Sequence, residues 1–167
     1  MKNIIILSVI LLCAIIQVTF IEPFRIFGVK PDLLLICVCI TGLMCEWRLA
    51  LFFGFYAGAL KDLLGTDPFG FNILLYVCWS YFIAKVARKI SLEDTYALMA
   101  VSCVVFFIDG IAKRIILSSY GKYVSFGISF RIIVLSCLYS TLLIPLVLKL
   151  FTYCKCLPAS KEKSYEI

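Results

Sequence analysis

The chain contains no histidine, which removes the commonest metal ligand and the commonest general base at neutral pH. Charge is scarce too: 16% of the 167 residues are charged, against 63% that are apolar. No soluble domain of this size could cover so much apolar content with polar surface, so the composition describes an integral membrane protein. Long polar segments are also missing, the longest being the tail from Ala159 to Ile167, and no separate soluble module fits. Function is therefore expected within the bilayer or in short loops. Chemistry-bearing patterns are equally thin. There is no G-x-S-x-G, no glycine-rich phosphate loop, and no second carboxylate placed to pair with Asp62 as acid and base. These absences argue against an enzyme, a resident metal or a cofactor.

What is present points the same way. The formal charge is +6, but the Lys and Arg residues stand singly between apolar runs instead of forming a basic face. The charge therefore reads as topology signal and contact with anionic headgroups, and nucleic acid is not expected as a partner. Of nine cysteines, Cys13, Cys37, Cys39, Cys45, Cys78, Cys103 and Cys137 lie within hydrophobic runs and act as small apolar residues. Cys154 and Cys156 form a lone C-x-C, a weak metal hypothesis. The first run, with Lys2 before Ile4 to Ile16, has the outline of a signal peptide. No small-x-small cleavage site follows it, however, and Leu12 before Cys13 is not the small residue of a lipoprotein site. It is read as a retained first span.

The apolar runs predict an all-α, polytopic helical membrane bundle, which the family resemblance described below would place in the bacterial inner membrane. Ile4 to Ile21 is the first helix, ended by Glu22-Pro23, and Pro31-Asp32 then opens the second, with Pro at a helix start and a carboxylate at the positive end of the dipole. Leu33 to Cys45 and Leu49 to Leu60 are short, about 20 Å each against a hydrocarbon core of roughly 30 Å. They form either two helices turning at Glu46-Trp47-Arg48 or one tilted helix carrying that trio at mid-membrane. The first is cheaper, because the trio then sits at the interface with Trp47 as anchor. Phe69 to Ala87, Thr95 to Leu117 and Ile128 to Leu150 follow. Six transmembrane helices are expected, five being the alternative, with residues 1–152 as the membrane domain and 153–167 as a short tail. Lys85, Arg88 and Lys89 fall on the same side as the lysine-bearing tail in either count, which places the C-terminus in the cytoplasm, and the N-terminus too if there are six spans.

Two groups of residues stand out against this background. Gly54-x-x-x-Gly58 has the spacing of close helix packing, and Asp62 extends the same face. Asp62 is either a buried polar group in need of a partner or an interfacial carboxylate hydrated beside Lys61. Asp109 and Lys113 form an i, i+4 pair. With Arg114 they make either an interfacial ion pair with snorkelling side chains or, together with Arg131 and Asp62, an intramembrane network that holds the bundle or lines a cavity.

The order of these pieces resembles one family. Gln17 and Thr19 end the first helix, Pro31-Asp32-Leu33-Leu34-Leu35 opens the second, and Gly54-Phe55-x-x-Gly58-x-x-x-Asp62 with Gly70 follows. This is similar to MreD, the rod shape-determining membrane proteins of bacteria, from about Ile4 to the end of the last span. The resemblance implies a non-enzymatic scaffold of the elongation machinery that binds the bitopic protein MreC. Through MreC it would couple MreB filaments to the polymerase RodA and its penicillin-binding transpeptidase. It also implies a fold shared with the membrane substrate-binding subunits of vitamin importers. Gln17, Pro31, Asp32, Gly54, Phe55, Gly58, Asp62 and Gly70 carry over as the interaction or packing core, the partner's helix being expected on the small-residue face. Lys61 has no place in that pattern. The alternative is a small-molecule-binding transporter subunit, which needs convergent polar groups that this chain offers sparsely, chiefly Gln17 and Asn72.

Overall fold

A computed structural model of the chain describes residues 2–19, 31–65, 68–87, 95–119 and 126–153. These residues form six helices and no strand: α1 (Lys2–Thr19), α2 (Leu33–Met44), α3 (Trp47–Leu64), α4 (Phe71–Ala87), α5 (Thr95–Ser119) and α6 (Phe126–Tyr153). Glu22-Pro23, Arg25, Lys30, Asp67, Arg88, Lys89, Lys122, Cys154, Cys156 and the rest of the tail lie outside the described residues.

The centre of the bundle is its shortest helix. α2 is 12 residues long, and every residue from Leu33 to Leu43 is buried. A helix that is apolar on all sides belongs inside, and α2 touches each of the other five helices. It starts at Asp32, whose side chain accepts the Leu35 amide at 3.3 Å as an N-cap. It stops at Cys45, whose N–H bonds back to the Thr41 carbonyl. Cys45 and Glu46 then break the chain, and α3 turns back far enough for Lys61 near its end to reach Asp32 at the start of α2. The two short runs are therefore two helices, and the single tilted helix is excluded. The break falls earlier than the charged trio suggested, since Trp47 and Arg48 already belong to α3.

α3 also runs on to Leu64 instead of ending at Leu60, so Lys61 and Asp62 are helical residues with fixed and different directions. α3 and α4 make the most extensive contact in the bundle. Large apolar side chains stand on the outer surface: Phe52, Phe55, Leu74, Phe82, Ile115 and Leu142 are all more than half exposed. Phe130–Tyr153 within α6 is long and apolar enough to cross a membrane, and Asn3–Thr19, Leu33–Met44 and Phe71–Ala87 are shorter apolar helices.

Candidate functional site

Three helix ends meet at one pole of the bundle: the start of α2, the end of α3 and the start of α4. Asp62 is 5% exposed there and is wholly engaged with the beginning of α4. Its Oδ2 accepts the amides of Gly70 at 2.9 Å and Ile73 at 3.2 Å. Its Oδ1 accepts the Asn72 amide at 3.1 Å and the Asn72 side-chain amide at 2.8 Å. The first amides of a helix have no carbonyl partners of their own, and the helix dipole favours negative charge beside them. Asp62 thus caps α4 from a neighbouring helix. Gly70 has φ +92°, a left-handed conformation that suits glycine, and this turn aims its amide at the carboxylate.

This geometry revises two expectations. Asp62 is neither a hydrated interfacial group nor a member of the charge network, because its oxygens are occupied by the α4 start. The face it shares with Gly54 and Gly58 is covered by α4 of the same chain rather than left open for a partner. A Cβ on Gly58 would stand 2.6 Å from the Ile73 Cα and 2.9 Å from the Asn72 carbonyl oxygen. A Cβ on Gly54 would stand 2.9 Å from the Tyr76 carbonyl oxygen and collide with Ser80. Glycine is required at both places because backbone meets backbone.

One helical step from Asp62, Lys61 points into a second cluster. Its Nζ pairs with Oδ2 of Asp32 and donates to the Tyr76 hydroxyl at 2.7 Å. That hydroxyl in turn donates to Asp32, at 2.9 Å from either oxygen. Lys113 of α5 lies 3.3 Å from Oδ2 of Asp32 and 2.5 Å from Oδ2 of Asp109. The Trp79 indole N–H donates to the other Asp109 oxygen at 3.0 Å. Both ammonium groups also stand over the Tyr76 ring, at 5.1 and 5.5 Å from its centroid. The Asp32 amide donates to Ser140 Oγ on α6 at 3.1 Å, and Gln17 on α1 accepts the Leu34 amide at 3.2 Å. Two carboxylates and two ammonium groups thus tie α2, α3, α4 and α5 together, with α1 and α6 attached through backbone amides. Charges withdrawn from water are tolerable only when paired and hydrogen-bonded in this way, and removal of one strands its partner.

Of the residues singled out from sequence, the structure brings Asp32, Asp109 and Lys113 into this cluster. Arg114 lines the adjoining cavity, Arg131 is exposed on α6, Pro31 is buried beside Asp32, and Phe55 is 52% exposed. Lys61, Tyr76 and Trp79 were missed. Tyr76 and Trp79 stand three apart on an apolar helix, the spacing that puts two polar tips on one face.

The cluster borders a cavity of about 280 Å³ among α2, α3, α5 and α6. Its polar wall holds Asp32, Lys61, Asp109, Lys113 and Arg114, with Ser136 and Ser140 beside them. Leu35, Phe106, Ile132 and Ile133 supply its apolar lining. Among the described residues, no group of three His, Cys, Asp or Glu side chains could hold a metal, and each carboxylate in the cluster is already held by an ammonium group.

Residues 1–154 match the sequence profile of the family described as rod shape-determining protein MreD. No curated protein and no solved structure matches the chain, so the implied likeness to vitamin-importer subunits has no structural support.

Proposed function

The chain belongs to the MreD family of rod shape-determining proteins, and we propose that within it the chain is a non-enzymatic membrane scaffold of the cell-elongation machinery. The observation that carries this reading is that the carboxylates and ammonium groups of the interior are engaged within the chain. Asp32, Lys61, Asp109 and Lys113 pair among themselves, and Asp62 caps α4. Their role is to hold a body together and leave its apolar exterior as the surface that meets other proteins.

In this reading the bundle crosses the inner membrane six times, with both ends in the cytoplasm and the charge cluster toward the outer side. α2 has about 18 Å of helix at 1.5 Å per residue, too little to face lipid across a whole bilayer. It does not need to, since other helices enclose it and satisfy its ends. The scaffold binds an MreC-like bitopic protein and through it joins MreB to RodA and its penicillin-binding transpeptidase, supporting lateral peptidoglycan synthesis. Among the residues carried over from the family resemblance, Phe55 faces outward while Gly54, Gly58 and Asp62 are buried. The partner's helix therefore docks beside Phe55 and Phe52 rather than on the glycines.

The cavity favours a second reading, a small-molecule-binding subunit of a transporter. Depletion of the protein from rod-shaped cells separates the two. Rounding of the cells is the expected result; persistent rods that acquire a vitamin requirement would replace the scaffold with the transporter subunit.

A further inference from the structure

We propose that Cys103 and Cys137 are a reversible redox pair, oxidised by a quinone dissolved in the bilayer to a disulfide that joins α5 to α6. The two sulfurs stand 3.4 Å apart, in direct contact although 34 positions separate them in the chain. The Cys137 thiol also donates to the Cys103 carbonyl at 3.3 Å. That bond holds the Cys137 sulfur beside the α5 backbone, and a small side-chain rotation brings the two sulfurs to bonding distance. The helices approach closely for a reason of their own. About two turns further along α5, a Cβ on Gly110 would stand 3.0 Å from the Ile133 side chain, so glycine there lets α6 come near. Access differs within the pair. Cys137 is buried, whereas Cys103 is half-buried beside Val104 and Phe107, which are 56% and 38% exposed on the outward side of α5. Cys13, Cys37 and Cys39 are enclosed around α2 and meet no such approach. Apolar surroundings keep water-borne oxidants away from Cys103 and admit a lipid-soluble one, for which a quinone is the fitting class. The step balances: both S–H bonds break, one S–S bond forms, and two protons and two electrons pass to the quinone, which leaves as the quinol. Cys137 adjoins Ser136, and Cys103 lies about one turn from Phe106, both of which line the cavity. The bond therefore fixes the α5–α6 seam at the cavity's edge. The inference takes its oxidant from the membrane placement given under Proposed function and rests on no part of the partner reading.

The test is oxidation of the purified full chain in lipid vesicles, first reduced and then exposed to decylubiquinone, followed by alkylation under denaturing conditions and peptide mapping. A peptide pair linked through Cys103 and Cys137 is expected, lighter by two hydrogens and parted by dithiothreitol, with the remaining cysteines still alkylated. Full alkylation of both thiols after the quinone would overturn the proposal, as would cross-links spread among the other cysteines. Tetrathionate, which stays in water, is expected to oxidise the pair more slowly. Oxidation by tetrathionate as fast as by the quinone would overturn the lipid-borne route and the proposal with it. The oxidised chain is also expected to unfold at a higher temperature than the reduced chain, because the bond restricts the unfolded state. Cys137→Ala should abolish that rise, and Cys78→Ala, at an exposed cysteine of α4, should keep it. A rise that persists in Cys137→Ala would overturn the assignment. Peptide mapping uses the wild-type chain, so it decides the matter even where a variant does not fold. Cell rounding on depletion is read independently, so the redox pair and the shape function succeed or fail separately.

Discussion

At the residue scale, Asp62 and Lys61 are neighbours in sequence with separate tasks. One helical step of about 100° sends Asp62 to the amides of α4 and Lys61 to Asp32 and Tyr76. Asp62→Ala leaves the amides of Gly70, Asn72 and Ile73 without their acceptor, and each buried unmet donor costs about 1–3 kcal/mol. A lower unfolding temperature in detergent is expected, with Asp62→Asn in between because it keeps one acceptor oxygen. An unfolding temperature unchanged in both variants would remove the cap from the account. The importance of Asp62 was legible in the sequence, since a carboxylate on a glycine face in apolar surroundings must have a partner. Its partner was not legible, because it is mostly backbone, and backbone amides look alike in every sequence. Lys61 was obscured for a related reason. With α3 taken to end at Leu60, both residues fell at an interface where water could serve them, and only the extra turn to Leu64 gives them fixed directions. Asp109 with Lys113 was readable from i, i+4 spacing alone. Tyr76 and Trp79 were not, because aromatic residues in a membrane helix pass for ordinary apolar or interfacial side chains.

At the element scale, the sequence pattern settles the helices better than their neighbours. The apolar runs correctly separate six helices, and Pro31-Asp32 marks the start of α2 through a cap that the structure shows. That α2 is the hub was hidden, because a run buried against protein and a run facing lipid are equally apolar. Small-residue spacing likewise reveals a close approach without naming what approaches. The structure assigns α4 to that place, and glycine contacts grade the consequences. At Gly58 an added Cβ meets Ile73 and Asn72 backbone at 2.6 to 2.9 Å, and backbone cannot rotate away. At Gly42 it meets the Ile83 side chain at 3.0 Å, which can shift by a few tenths of an ångström. Gly58→Ala is therefore expected to destabilise by about 1–3 kcal/mol, the usual cost of overpacking, and Gly42→Ala by clearly less. Thermal unfolding of the two variants side by side checks the order, and a reversal would show that α3 and α4 are not in backbone contact.

At the scale of the whole molecule, the described residues are apolar both inside and out. The core is aliphatic and aromatic with one paired charge cluster and capped helix ends set into it, and large apolar side chains such as Phe52, Phe55 and Leu142 also stand outside, the distribution that lipid and partner helices favour. Membership of a rod shape-determining family supplies the process, and in the proposed reading the outward side chains supply the means of docking. The central claim is that this exterior, at Phe55, holds the partner, while the glycines and Asp62 hold the bundle. It is tested most directly by the shape of depleted rods re-expressing the Phe55→Ala variant at wild-type level, with its unfolding temperature measured in parallel. The account predicts round cells and an unfolding temperature equal to that of the wild type. Restored rods of normal width in cells carrying Phe55→Ala would contradict it.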